Sequence, residues 1–394
     1  MSTERTWQDR ARSLQSHYQR FAVTDRVLLT GHSHQAWPDV AYEGQMQAFE
    51  DAALHVDDKW SQAFVQAEKV RTGYANLLKD KSGEYVLGQN TMELLVRWLS
   101  ALPLDKKPRL VTTDGEFHSM RRLLDRLNET SVQVVKVAQN PVSTLSERLA
   151  AELNDDTAAV MLSGVLFQSG RVVPHLSQLA QAAAENDVPL LVDAYHAVNI
   201  LPWYLDELGL EQAFIVGGGY KYCQLGEGNC FLRVPRDCDW RPLVTGWFAE
   251  FTTLHQAPGN RVQYGTGRWA FEGSTYDPTS HYRATKVFDF FDDQGLTPEV
   301  LYPHYKAQQR HLLNLLSEHP WPDHIQLPTE SLDHIGGFLV IRTPKAADIV
   351  QALRQEQVYT DSRGDALRLG PAPYVTAEQL KQAVDALRKV IQGS

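Results

Sequence analysis

The residues best placed to do chemistry lie in two short segments, VDAYH at 192–196 and GGGYKY at 217–222. Asp193 falls at the end of an apolar, strand-like run, where an unpaired carboxylate is costly to bury. A carboxylate there wants a cationic partner, and a protonated pyridine nitrogen is one. Lys221 also closes an apolar run, in a glycine-rich loop that would let a flat ligand approach the backbone. A lysine partly stripped of water has a lowered pKa and is suited to forming an imine with an aldehyde. Taken singly, an aspartate at a strand end is more often a helix cap, and a lysine after a strand is usually solvated. The order and spacing of the pair, 28 positions apart, point to a joint site.

The elements that must position these groups follow from hydrophobic period. EYVLG (84–88), RLVTT (109–113), VQVVKVA (132–138) and TAAVMLS (157–163) read as strands, and so do PLLVDAY (189–195), AFIVGGG (213–219) and NCFLRV (229–234). Between them, TMELLVRWLSAL (91–102), HSMRRLLDRLN (118–128) and PHLSQLAQAAAEND (174–187) have the helical period, the last with Pro174 in its first turn. Repeated strand–helix–strand units predict an α/β fold with a mainly parallel sheet covered on both faces. Ligands bind such sheets at the carboxyl ends of strands. From about residue 280 the pattern changes: helices over 281–293, 297–318 and 345–356 enclose a GGFLVIRT strand (336–343), and a short ALRLG strand follows. This predicts a smaller α+β domain, completed by the N-terminal arm.

With 394 residues the chain can build a large core and a second domain. Its net charge of -10, with both signs interspersed, argues against a nucleic-acid or anionic-membrane partner. No apolar run approaches the roughly 20 residues needed to span a bilayer. The charged N-terminus has no signal-peptide core. Cys223, Cys230 and Cys238, an odd number without a signal, suggest a reducing cytoplasm and ordinary thiols. Their spacing fits no common zinc pattern, so no metal is expected.

The motifs resemble those of the class-V pyridoxal-phosphate transferases, the group of cysteine desulfurases and kynureninases, and kynureninase is the nearer match. LLTGHSHQAWP (28–38), HVDDKW (55–60), GEFHSM (115–120), LSGVLFQSG (162–170), DAYH, YKY, TGWF (245–248) and FEGST (271–275) stand in that family's order over nearly the whole chain. The resemblance implies a fold-type I, aspartate-aminotransferase-like architecture. Residues 1–30 would form an N-terminal arm, 31–275 a large cofactor domain, and 276–394 a small C-terminal domain. It implies pyridoxal 5'-phosphate as cofactor, a small amino-acid substrate, and a homodimer with shared active sites.

Residue roles follow from the same resemblance. Lys221 would carry the cofactor as an imine, Asp193 would hold the ring nitrogen protonated, and Tyr220 would donate a proton. Thr91 and Met92 would meet the phosphate at a helix N-terminus, where free N–H groups favour an anion. Phe117 would stack on the ring, Ser163 would touch it, and Tyr220 and His196 would bond the phosphate and ring. Trp247 and Thr275 would add phosphate contacts, partly from a second subunit. Ser33, His55 and Arg368 would face the substrate, the arginine as a bidentate carboxylate clamp. Three departures stand out. Phe117-His118-Ser119-Met120 replaces Phe-Pro-Ser/Thr-Asp, so the acidic cofactor contact is expected to be missing. Thr275 replaces asparagine, and His-Ser-His replaces Asn-Ser-Leu. The activity implied is kynureninase-like hydrolysis of a Cβ–Cγ bond, with a class-V transaminase or carbon–sulfur lyase as the alternative. Desulfurase chemistry needs a thiolate before the substrate arginine, and 358–368 contains no cysteine.

Overall fold

A computed structural model describes residues 3–257 and 259–392; the first two residues of the expected N-terminal arm lie outside them. The chain opens with α1 (Thr3–Gln15), a short strand β1 (Val27–Leu28), α2 (Val40–His55) and α3 (Lys59–Leu77). An alternating stretch follows: β2 (Glu84–Gly88), α4 (Thr91–Leu99), β3 (Arg109–Thr113), α5 (His118–Leu127) and β4 (Gln133–Val137). It continues through α6 (Leu145–Ala150), β5 (Thr157–Ser163), α7 (Leu176–Glu185), β6 (Leu190–Asp193), β7 (Phe214–Gly218) and β8 (Cys230–Val234). After α8 (Thr279–Asp293) and α9 (Pro298–Ser317) come β9 (Leu339–Arg342), α10 (Ala346–Gln355), β10 (Val358–Tyr359), β11 (Asp361–Arg363), β12 (Ala366–Leu369) and α11 (Ala377–Gln392).

Seven strands form one sheet in the order β2-β8-β7-β6-β5-β3-β4. Only β8 runs against the rest, antiparallel to both β2 and β7. β5, β6 and β7 are buried along their whole length, as expected of parallel strands covered by helices on both faces. The architecture is thus the α/β fold predicted. Strand and helix ends are shorter than the apolar runs for local reasons. β6 stops at Asp193 because its carboxylate accepts the Tyr195 backbone N–H at 2.8 Å and turns the chain. α7 begins only at Leu176, since His175 is left-handed at φ 61°, so Pro174 precedes the helix instead of opening it.

The C-terminal part carries a three-stranded antiparallel sheet, β11-β12-β9. Its register sets Asp361 opposite Arg368. The N-terminal segment joins this part: β1 pairs with β10, and Gly31 N–H donates to Gly370 C=O at 2.8 Å. α1 lays the buried Trp7 against His304 of α9. Among the described residues, no helix is long and apolar enough to cross a membrane, and no cluster of His, Cys, Asp or Glu could hold a metal ion.

Candidate active site

The carboxyl ends of β5, β6 and β7 open into a cavity of about 200 Å³. Asp193, His196, Tyr220 and Lys221 line it, with Thr91, Phe117 and Ser163 completing the wall. Ser163 and Asp193 are register partners on neighbouring parallel strands, so they share one end of the sheet. Thr91 is buried at the first position of α4. That helix is capped by Asn90, whose side chain accepts the Glu93 N–H at 3.0 Å. Its other free N–H groups make an anion-favouring end at the cavity.

Lys221 is only 5% exposed, and its Nζ stands 2.7 Å from His196 Nε2. Nζ also lies 5.4 Å from the Phe117 ring centre and 4.6 Å from that of Tyr195. Burial pushes the ammonium down to about 7, partly opposed by Asp193, while Arg368 lowers it further. Burial and the nearby Lys221 charge hold His196 well below its usual range, so it is a neutral acceptor. Its Nδ1 is buried without a protein partner. Asp193 is raised by burial, against the Tyr195 N–H and the Lys221 charge. Among the described residues its carboxylate takes one hydrogen bond, from the Tyr195 N–H, so a cationic ring nitrogen would find there both a counter-charge and an acceptor.

The glycines before Lys221 serve a different purpose from the one expected. A Cβ on Gly218 would lie 2.5 Å from Tyr195 Oη, one on Gly219 2.5 Å from Leu225, and one on Gly217 2.8 Å from Phe231. They admit packed side chains of the protein rather than a ligand.

The remaining sequence-designated residues lie farther out. Arg368 is buried next to the cavity wall: Nε donates to Asp361 Oδ1 at 2.8 Å, Nη2 bonds Asp361 Oδ2, and Nη1 donates to Phe167 C=O at 2.7 Å. Of the five N–H donors on a guanidinium, two stay unengaged. Ser33 bonds only locally, to Thr30 C=O at 3.4 Å. Its neighbour His32 meets Asp361 Oδ1 at 2.7 Å and so backs the arginine. His55 is exposed at the end of α2, and Met92 is half-exposed on α4; neither lines the cavity. Trp247 and Thr275 lie at the surface, bonded to each other at 3.3 Å.

Sequence reasoning missed Glu116, His32 and Asp361. Met120 is indeed buried and apolar, but α5 is preceded by a buried acid, Glu116, bonded to Ser163. A glutamate at the mouth of a helix gives no signal of burial, and the Asp361–His32 contact joins segments 329 positions apart.

Fold and site together define a fold-type I pyridoxal-phosphate enzyme: the buried Lys221, the under-bonded Asp193 and the helix end at Thr91 fit that cofactor's aldehyde, ring nitrogen and phosphate. Comparison with known proteins agrees. The family model described as kynureninase C-terminal domain matches residues 306–387. The kynureninase of Shouchella clausii is 22% identical over 387 residues, covering 93% of this chain and 89% of its own. An uncharacterized aminotransferase, YcbU of Bacillus subtilis, is 21% identical over 347 residues, covering 87% and 88%. Kynureninases of Bacillus thuringiensis and Bacillus cereus align over 61% of their own length. Among solved structures, a C-DES mutant with glycine covalently linked to its pyridoxal-phosphate cofactor has a TM-score of 0.81 at 16% identity, covering 95% of this chain and 98% of that one. The cystine C–S lyase C-DES with cysteine persulfide gives 0.79 at 17%, covering 93% and 98%. The chain is similar to the class-V pyridoxal-phosphate-dependent aminotransferases, with kynureninases among its relatives.

Proposed function

We propose that the protein is a hydrolase that cleaves the Cβ–Cγ bond of a kynurenine-type amino acid and releases alanine. The observation that carries this reading is the reach of the kynureninase likeness, which takes in the Lys221 segment and, through the matched C-terminal domain, Arg368. Arg368 receives the substrate carboxylate on its two unengaged N–H groups, steadied by Asp361 and His32. Lys221, substantially neutral near pH 7, takes the α-proton, and His196 orients its Nζ. Asp193 keeps the ring nitrogen protonated. Burial pushes the Tyr220 hydroxyl up to about 12, so it holds its proton and can deliver it. Pyridoxal phosphate, when bound, supplies the electron-accepting ring.

The test is incubation with L-kynurenine and with 3-hydroxykynurenine, following alanine and the fluorescent aromatic acid. A second reading, carbon–sulfur cleavage or transamination, draws on the C-DES likeness and the shared cofactor residues. Turnover of a cysteine conjugate, or of alanine with a keto acid, in the absence of either kynurenine product would put it in first place.

A further inference from the structure

Glu116 is a buried carboxyl that none of these roles uses. It is 2% exposed, in the turn between β3 and α5. Both of its oxygens are engaged by hydroxyls. Thr113 Oγ1 donates to Oε1 at 2.5 Å and Ser163 Oγ donates to Oε2 at 2.6 Å. Ser163 stands beside Asp193 in the sheet, and both face the cavity. Glu116 is therefore one hydroxyl behind the wall on which a cofactor ring would rest, within electrostatic reach of Asp193. Two neighbouring buried carboxyls cannot both ionise cheaply, and Lys221, itself lowered to about 7, offsets only part of that cost, so Glu116 holds on to a proton up to about neutrality. A positive ring nitrogen beside Asp193 reverses that balance.

We propose that Glu116 is a positioning residue of the cofactor site, which holds Ser163 against the ring and releases its proton to solvent when the cationic ring nitrogen docks beside Asp193. The proposal rests on the cofactor assignment and not on which amino acid is the substrate. Burial raises Glu116 to about 7, against the hydrogen bonds from Ser163 and Thr113, and Asp193 adds to the rise. The cofactor-free protein thus carries more proton on Glu116 near neutrality than the loaded one. By linkage, this residue makes cofactor binding tighter as pH rises towards about 7, by at most about tenfold per pH unit for one proton, and the effect levels off above that. Lys221 and the cofactor phosphate also titrate, and do so in a Glu116→Gln variant as well, so the difference between the two proteins reports the proton that Glu116 holds or shares with Asp193.

Cofactor-free protein is titrated with pyridoxal phosphate by calorimetry at neutral pH, in two buffers of different ionisation enthalpy, to count protons. The wild type should release more protons than Glu116→Gln, by up to one, and its affinity should depend more steeply on pH. Ser163→Ala should weaken binding while keeping the proton release. Equal proton counts in wild type and Glu116→Gln would overturn the proposal. Failure of the folded wild type to take up cofactor would overturn the cofactor assignment itself, and the proposal with it. If Glu116→Gln does not fold, infrared difference spectra of the wild type decide. A protonated-carboxyl band should vanish on loading and lie at a shifted frequency in Ser163→Ala, which loses a donor to Glu116 and none to Asp193. A band unchanged by loading, or unshifted in that variant, would count against it.

Discussion

At the residue scale, the site depends on how burial treats two opposite charges. Lys221 is lowered to about 7 and Asp193 is raised, each chiefly by loss of water. The lysine's shift fixes a sign. Between about 7 and its ordinary 10.5, the unfolded chain binds the proton that the folded chain has lost. Stability of the cofactor-free protein should therefore rise with pH across that window, by at most about 1.4 kcal/mol per unit from this group. Urea unfolding at several pH values should show this slope in the wild type and not in Lys221→Met. Borohydride reduction of the loaded protein should fix the cofactor to Lys221, and a label on another lysine would refute that role. Asp193→Ala should lose cofactor affinity and turnover, whereas Asp206→Ala, on the exposed surface, should lose neither. Asp361→Ala strips Arg368 of its counter-charge in a buried setting, where removing one partner typically costs about 3–5 kcal/mol. Chemical denaturation measures that loss, and a change below about 1 kcal/mol would mean that the arginine's remaining contacts suffice.

At the element scale, legibility followed burial. TAAVMLS reads as a strand because every residue of β5 is buried, and the same holds for β6 and β7. The Lys221 and Asp193 segments were legible because strand ends and spacing are local properties. What joins distant segments was not. Arg233 of β8 donates to Asp80 at 2.8 Å, both groups almost fully buried, across 153 positions. Nothing in either neighbourhood marks that pair, and the Asp361–His32 contact escaped for the same reason. α2 and α3 also went unread. Within one chain α2 buries only Ala41 and Gly44 against its neighbours, so its apolar residues do not trace a single face. The glycine run before Lys221 is legible as special, but that Tyr195 needs the space follows only from the fold. Gly218→Ala should push Tyr195 away from its 4.6 Å approach to Lys221, lowering both thermal stability and cofactor affinity. Unchanged cofactor absorbance in that variant would show that Tyr195 has slack the packing does not reveal.

At the scale of the whole molecule, what α2 leaves uncovered becomes informative. Phe49 is 72% exposed and Leu54 76%, with Val56 beside them at the corner leading to α3; Leu243 is 88% exposed before Trp247. Three large apolar side chains left so open along one helix and its corner are what a contact surface would present. Of the residues that the family resemblance assigns to the site, His55 and Trp247 lie in these same exposed stretches and Thr275 is exposed and bonded to Trp247, all three outside their own chain's cavity. Both facts are met if two copies associate and each lends these residues to the other. We therefore expect a homodimer in which these apolar side chains are covered. A Phe49→Glu, Leu54→Glu double variant places two charges on that surface without touching the cavity. Light scattering should show the wild type as a dimer and the variant as a monomer. Circular dichroism should report an intact fold in both, and the variant's affinity for pyridoxal phosphate should fall at least about tenfold, the equivalent of one lost phosphate contact of about 1.4 kcal/mol. Trp247→Ala should weaken cofactor binding similarly while leaving the dimer whole, which separates the shared contact from the assembly. A monomeric variant with undiminished cofactor affinity and activity would show that each chain completes its own site, and would return His55, Trp247 and Thr275 to the surface.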